Sequence, residues 1–268
     1  MTPWPFRHFY TGPSLETSSA PDAARKQALM GFVLPRQYAE RFDHRQVHPT
    51  FSQDLIRELA VASIDFDTEG FQKVATALMR ESADAEQFLV QAITGAAMVL
   101  GEWWSYDRIS YSAVKLGTQR LEELVFEIAD ERLRMHQKPD NPHKVIITYP
   151  SQSSHTLGSF VAAEIFNWHG WSVTSGPHVK FENVPEILAH ESFDLLGVTL
   201  AVEHDLLLIH QLISRCRSVS KNKKLLVVVG GTQAFLRPNL AAEVNADFVA
   251  TNASQAQAQA MSLLGKAA

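Results

Sequence analysis

His155 stands in the stretch SQSSHTLG (residues 151–158), and two further short stretches, Thr199-Leu200-Ala201 and Gly230-Gly231, follow it. A neutral imidazole offers a nitrogen lone pair to a transition metal. The Thr199 hydroxyl can hydrogen-bond a buried polar ligand, and adjacent glycines clear side chains from a ligand's path. Forty residues separate Gly158 from Thr199, and twenty-eight separate Ala201 from Gly230. The chain has one cysteine, Cys216, which excludes an internal disulfide and any multi-cysteine zinc or iron–sulfur site. No serine–histidine–acid set or phosphate-binding loop is recognisable, so the chemistry on offer is ligand binding centred on one histidine.

These stretches matter only if they fall where a fold brings them together. From residue 143 onward, apolar runs alternate with helical periodicity. Strands are expected at Lys144–Tyr149, Trp171–Thr174, Leu195–Thr199, Leu225–Val229 and Asp247–Ala250. Helices are expected near His155–His169, Val184–Glu191, His204–Val219, Ala234–Val244 and Asn252–Leu264. The run Leu225–Val229 (LLVVV) is continuously apolar, as in a parallel strand buried on both faces. The prediction is an α/β fold with an open, five-stranded, flavodoxin-like (Rossmann-type) parallel sheet. In such sheets ligands sit beyond the carboxyl ends of the strands, at the switch point. His155, Thr199 and Gly230 all fall there.

Residues 51–136 have a different pattern. Ser52 is placed to cap a stripe of Leu55, Ile56, Leu59, Ala60 and Ser63, and Thr68 precedes Phe71, Val74, Ala75, Leu78 and Met79. Phe88–Leu100 is apolar nearly all round and predicts one buried helix, and Ser110 opens a last long one. Four helices with short loops predict a bundle. Lys138-Pro139-Asp140-Asn141-Pro142 separates it from a second domain at 143–268. Residues 1–50 hold six of the twelve prolines and no sustained helical period, so they are expected to form an arm. No helix-turn-helix unit fits there, so any contact with DNA would run through a partner protein.

Composition narrows the class. With 46% hydrophobic residues, 20% charged residues and a net charge of −5, the chain can build a core but is a poor candidate for direct nucleic-acid binding. No apolar run is long enough to span a membrane. The opening MTPWPFRHFY lacks the layout of a secretory signal, and a cytoplasmic location is expected. Glu122-Glu123 is expected to be solvated, Glu203-His204-Asp205 to cap the following helix, and Cys216 to be a packing residue.

The three stretches, in this order on these strand ends, resemble the cobalamin-binding domain shared by methionine synthase, the mutases and light-sensing regulators. That pattern is Asp-x-His-x-x-Gly, then Ser-x-Leu, then Gly-Gly. Here it reads Ser153-x-His155-x-x-Gly158, Thr199-x-Ala201, Gly230-Gly231. The resemblance implies His155 as the lower axial ligand of cobalt, with Gly158 permitting a tight turn. It implies that Thr199 bonds the buried base and that Gly230-Gly231 lets the nucleotide tail lie against the sheet. Ser153 replaces the aspartate that orients the ligand histidine, which implies a softer or differently tuned bond to the metal. Gly101-Glu102-Trp103-Trp104, followed by Ile109-Ser110, resembles the start of the Trp-x9-Glu-His cap motif of adenosylcobalamin light sensors. One of Trp103 and Trp104 is expected to face the cofactor and the other to pack. Counting from Trp104, the acid–histidine pair is replaced by Val114 and Lys115.

A helical cap, a modified His-x-x-Gly loop, an acidic chain and an aromatic arm together resemble the PpaA/AerR antirepressors of purple photosynthetic bacteria. That resemblance implies a light-responsive co-regulator, not an enzyme, that acts on a PpsR/CrtJ-type repressor. Without the acid–histidine pair of the cap, the chain is expected to prefer hydroxocobalamin, whose small upper ligand an arm histidine (His8, His44 or His48) could replace. Two alternatives share the scaffold. One is a heme-binding redox or gas sensor, as in the related heme-binding domain of AppA. The other is a corrinoid methyl carrier.

Overall fold

The computed structural model describes residues 51–65, 67–81, 84–133, 142–153, 155–176 and 179–267. The arm with His8, His44 and His48, and most of the segment around Pro139, lie outside the described residues. Four helical segments come first: α1 (Gln53–Ile64), α2 (Thr68–Glu81), a composite segment, and α4 (Tyr111–Leu133). The composite segment is a turn at Ala85–Gln87, a π-helical stretch at Phe88–Ile93, and α3 (Thr94–Ser105). The single apolar helix expected at Phe88–Leu100 is therefore neither regular nor confined to that range. Its apolar character is borne out, since Phe88, Leu89, Ile93 and Leu100 are all fully buried.

Local chemistry sets the helix ends. Ser52 Oγ accepts the Leu55 N–H at 3.2 Å, the expected cap of α1. At α2 Asp67 is the cap: its Oδ1 accepts the Gly70 N–H at 3.0 Å, and Thr68 is the first helical residue. Ser110 Oγ accepts the Ala113 N–H and opens α4 as expected. Arg120 of α4 reaches back to the end of α1, donating from Nη1 to the carbonyls of Ser63 (3.1 Å) and Asp65. That satisfies carbonyls which the helix itself leaves unpaired.

The remainder alternates β1 (Lys144–Thr148), α5 (Leu157–Trp168), β2 (Ser172–Thr174), α6 (Val184–His190), β3 (Leu195–Thr199) and α7 (Leu206–Val219). Then come β4 (Leu226–Gly230), α8 (Thr232–Leu236), α9 (Leu240–Val244), β5 (Phe248–Val249) and α10 (Ala253–Ala267). All five strands are parallel, in the order β2-β1-β3-β4-β5. This is the doubly wound order expected, with its switch point between β1 and β3. The helix expected at Ala234–Val244 is two helices. Pro238 has no N–H to continue it and forces Arg237 into an extended conformation, with φ −121° and ψ 100°.

Aspartates pin the amino edge of the sheet. Asp194 Oδ2 accepts the Lys144 N–H at 2.8 Å, and Asp247 Oδ2 accepts the Val227 N–H at 2.6 Å. The strands bury side chains on both faces. Ile146, Leu196, Val198, Val227 and Val229 pack against α6, α7 and α9, while Val145, Ile147, Leu195 and Val228 pack toward α5 and α10. A third core joins the helical bundle to the sheet: Leu59, Leu89, Ile93, Leu100 and Leu121 form one cluster with Leu157, Val161 and Ile165 of α5. Each fully buried side chain of this kind contributes roughly 1.5–3 kcal/mol. The bundle thus lies along α5 as part of the same packed body. No described helix is long and apolar enough to cross a membrane.

Candidate functional site

The switch point gathers the three stretches. β1 ends at Thr148 and leads through residues 149–156 into α5. β3 ends at Thr199, which pairs in register with Gly230 at the end of β4. Gly230 is therefore the last strand residue and Gly231 alone is the turn. Leu200 N–H donates to Gly230 O at 2.9 Å, and Gln233 N–H donates to Leu200 O at 3.1 Å, which locks these ends together. Gly231 has φ +93°, and a β-carbon there would sit 2.6 Å from Leu200 O, so only glycine fits. Ala201 is buried, and Gln233 Nε2 donates to its carbonyl at 3.3 Å.

Gly158 corrects an expectation. It is the second residue of α5, and a β-carbon added to it would meet nothing within 4 Å. Its contribution is open space at the helix N-terminus, not a tight turn. Gly230 also leaves room, its nearest neighbour being Ala250 O at 3.5 Å. Thr199 faces Ser159 of α5 across the switch point, their hydroxyl oxygens 3.5 Å apart. Thr148 Oγ1, at the end of β1, is buried with no hydrogen-bond partner among the described residues. Small side chains, hydroxyls and one orphaned polar atom thus line the carboxyl end of the sheet.

His155 is buried at 8% exposure in the turn before α5. Burial lowers its pKa from 6.5 to about 4, and the positive charges of Lys115 and His204 push it the same way. The imidazole is therefore neutral at physiological pH, the form that binds a metal. Ser153 Oγ bonds the main chain of this turn. It accepts the backbone N–H of His155 at 3.1 Å, as a turn-forming serine does. Among the described residues no group of three or more His, Cys, Asp or Glu is arranged to hold a bare metal ion. A single neutral imidazole beside open space fits a metal that brings its other ligands with it.

Sequence reasoning missed Glu122. Far from being a solvated helix end, it is half-buried within α4, where it accepts the Thr156 hydroxyl at 2.6 Å. Desolvation raises its carboxyl pKa, more than the Thr156 bond and Lys115 lower it. Four residues on, Phe126 meets Phe160 of α5 at 5.2 Å. The two contacts advance together, so α4 and α5 run side by side in the same sense. Lys115, two turns before Glu122, then lies about 10 Å further along the axis, beyond the start of α5. The first turns of α4 therefore overhang the carboxyl edge of the sheet.

Trp103 and Trp104 sit where α3 hands over to this overhang. Trp103 packs against the bundle core, whereas Trp104 is buried with its ring 6.3 Å from that of Tyr111, the first residue of α4. Tyr106 and Tyr111 are exposed beside it, and Arg108 lies over the Tyr106 ring at 5.7 Å. Glu203–Asp205 forms a 3-10 turn into α7, but Asp205 makes no side-chain cap, and burial raises its carboxyl pKa.

No family model matches the chain. Over 169 residues, 63% of this chain and 88% of the other, it is 24% identical to an uncharacterized 20.5 kDa protein from the bchF-crtJ intergenic region of Rhodobacter capsulatus. Among solved structures, it is similar to the monomethylamine corrinoid protein of Methanosarcina barkeri. That match has a TM-score of 0.63 at 17% identity and covers 79% of this chain and 99% of the other. A cobalamin-binding protein of Desulfitobacterium hafniense aligns with a TM-score of 0.41 at 15% identity, over 78% of this chain and 97% of that one. At 17% identity the likeness to the Methanosarcina barkeri protein is one of fold, and its coverage of 79% of this chain takes in part of the helical bundle as well as the sheet.

Proposed function

We propose that this chain binds cobalamin with His155 beneath the cobalt and acts as a light-responsive co-regulator. The observation that carries the reading is His155 itself: a buried imidazole, held neutral, at the switch point of a doubly wound sheet, with open space at Gly158 three residues on. The Methanosarcina barkeri protein of the same fold is by its description a corrinoid protein, which supports the choice of cofactor. When bound, cobalamin supplies a cobalt centre whose upper bond to carbon is broken by light. His155 would hold the lower face, and Thr199, Gly230 and Gly231 would accommodate the nucleotide tail. The overhang that begins at Tyr111, with Trp104 of α3 packed against it, would exclude water from the upper face.

The regulatory half of the reading draws on the relative from the bchF-crtJ region. We infer a PpsR/CrtJ-type repressor as the partner, hydroxocobalamin as the preferred form, and His8 as a candidate upper ligand. The likeness to a corrinoid protein equally favours a second reading, a methyl carrier that serves a methyltransferase.

The test is an absorption spectrum of purified protein mixed separately with hydroxocobalamin, adenosylcobalamin and hemin, then desalted, with His155→Ala as control. Retained corrin bands that depend on His155 are expected. Retained heme without corrin would move the protein to the heme-sensing alternative. Repressor binding that differs between the empty and the hydroxocobalamin-loaded chain separates regulator from carrier.

A further inference from the structure

The hydrogen bond between Glu122 and Thr156 is made at some cost to both residues. Thr156 is the N-cap residue of α5, where a threonine hydroxyl ordinarily accepts a bond from its own helix. Here the N-cap makes no side-chain bond to the helix, and the hydroxyl donates to Glu122 of α4 instead. Glu122 in turn keeps its carboxyl half-buried, and desolvation there outweighs the bonds that favour its charged form, a cost that an apolar residue would avoid. His155 lies between two tethers. Ser153 Oγ holds its backbone N–H, and the next residue, Thr156, is held by the bundle.

We propose that Glu122 is a positioning residue for His155: through the Thr156 hydroxyl it fixes the turn that carries the imidazole, so that the bundle helix α4 and the lower ligand move as one. The inference rests on the reading of His155 as a metal ligand and adds the group that holds it. The two partners come from different parts of the chain, thirty-four residues apart. Displacement of the overhanging turns of α4 by a ligand is therefore passed to the turn that carries His155 by a directional bond beside the apolar contacts of α4 with α5, and the reverse holds too.

The experiment uses the full chain and the variants Glu122→Ala, Glu122→Gln, Thr156→Val and Thr156→Ser. Amide hydrogen exchange over residues 153–159 is measured without cofactor, and the hydroxocobalamin spectrum and affinity are measured separately. Glu122→Ala and Thr156→Val should speed exchange in this turn by roughly tenfold, as for loss of a hydrogen bond to a carboxylate. Exchange in β3 and β4 should not change. Glu122→Gln keeps an acceptor and Thr156→Ser keeps a donor, so both should stay near the parent. Loaded protein should show weaker retention and a shifted corrin spectrum in the first pair only.

Unchanged exchange in folded Glu122→Ala and Thr156→Val would overturn the tether. Faster exchange with an unaltered corrin spectrum would overturn the positioning role and leave a packing bond. If Glu122→Ala does not fold, Thr156→Val decides alone, since it leaves α4 intact. A parent chain that retains no corrin would sink the cobalamin reading, and the exchange result would still decide the tether.

Discussion

A β-carbon on Gly231 would lie 2.6 Å from the carbonyl oxygen of Leu200, whereas one on the neighbouring Gly230 would meet Ala250 O at an ordinary 3.5 Å. The two glycines of one dipeptide therefore do different things. Gly231 also has φ +93°, a conformation that an L side chain rarely adopts. Gly231→Ala should cost about 2 kcal/mol or more of folding stability in urea denaturation. Gly230→Ala should cost less than about 1 kcal/mol yet weaken corrin retention, because the space it fills is where a ligand would lie. Equal destabilisation by both would contradict this division.

Gly158 tests the same idea from the other wall. It is helical, and open space surrounds its missing side chain. Gly158→Ala should stabilise the empty protein by roughly 0.5–1 kcal/mol, since glycine is a poor helix former. The same change should reduce cobalamin retention. A variant that is more stable and binds as before would show that the ligand does not use this space.

His155 makes stability depend on pH. Its folded-state pKa of about 4 lies below the ordinary 6.5. Between those values the unfolded chain binds the extra proton, so the stability tied to this residue is complete above the ordinary value. It is lost as the pH falls toward the folded one, by roughly 3 kcal/mol. Glu122 acts in the opposite sense. Its carboxyl pKa is raised by burial, so its contribution is complete below 4.5 and declines as the pH rises through the folded value. Urea midpoints of the parent and of His155→Ala should converge as the buffer is acidified. Parallel curves would mean that the imidazole is not buried in neutral form.

Cys216 should be chemically silent. It is fully buried on α7, and burial pushes its thiol pKa up to about 12. A thiol reagent should label it only after denaturation, and Cys216→Ser should lower stability by about 1–3 kcal/mol by placing a hydroxyl in an apolar site. Prompt labelling of the native protein would count against this packing.

Glu86 clasps the bundle to the sheet. It bonds His169 Nε2 at 3.0 Å at the end of α5 and accepts the Ser254 hydroxyl at the start of α10. Glu86→Ala should lower stability by about 1–2 kcal/mol, measured by urea denaturation. The cooperative transition should survive, because the shared apolar core remains. Two resolved transitions would show that the clasp, and not the core, joins the two parts.

Periodicity and strand-end logic made much of this molecule legible in the chain itself. A continuous apolar run such as Leu225–Val229 has few ways to be buried except in a doubly covered parallel sheet. The spacing of His155, Thr199 and Gly230 then places all three at one edge. Hydrophobic pattern and short-range caps are properties of neighbours in sequence, so Ser52, Ser110 and the five strands needed no tertiary information. Even the break at Pro238 was available, since proline cannot continue a helix.

What lay beyond that reading depends on residues distant in sequence. Glu122 and Glu123 are alike as adjacent acids, and only the packing of α4 along α5 buries one and leaves the other in solvent. Ser153 and Thr156 each had several bonding partners to choose from, and the fold decided between them by supplying a backbone N–H to one and a carboxylate to the other. Gly158 and Gly231 are the same residue type in a chain, yet one marks open space and the other a close approach. Local chemistry specifies which elements form and in what order, whereas burial, charge state and vacancy are set by what the fold brings against them.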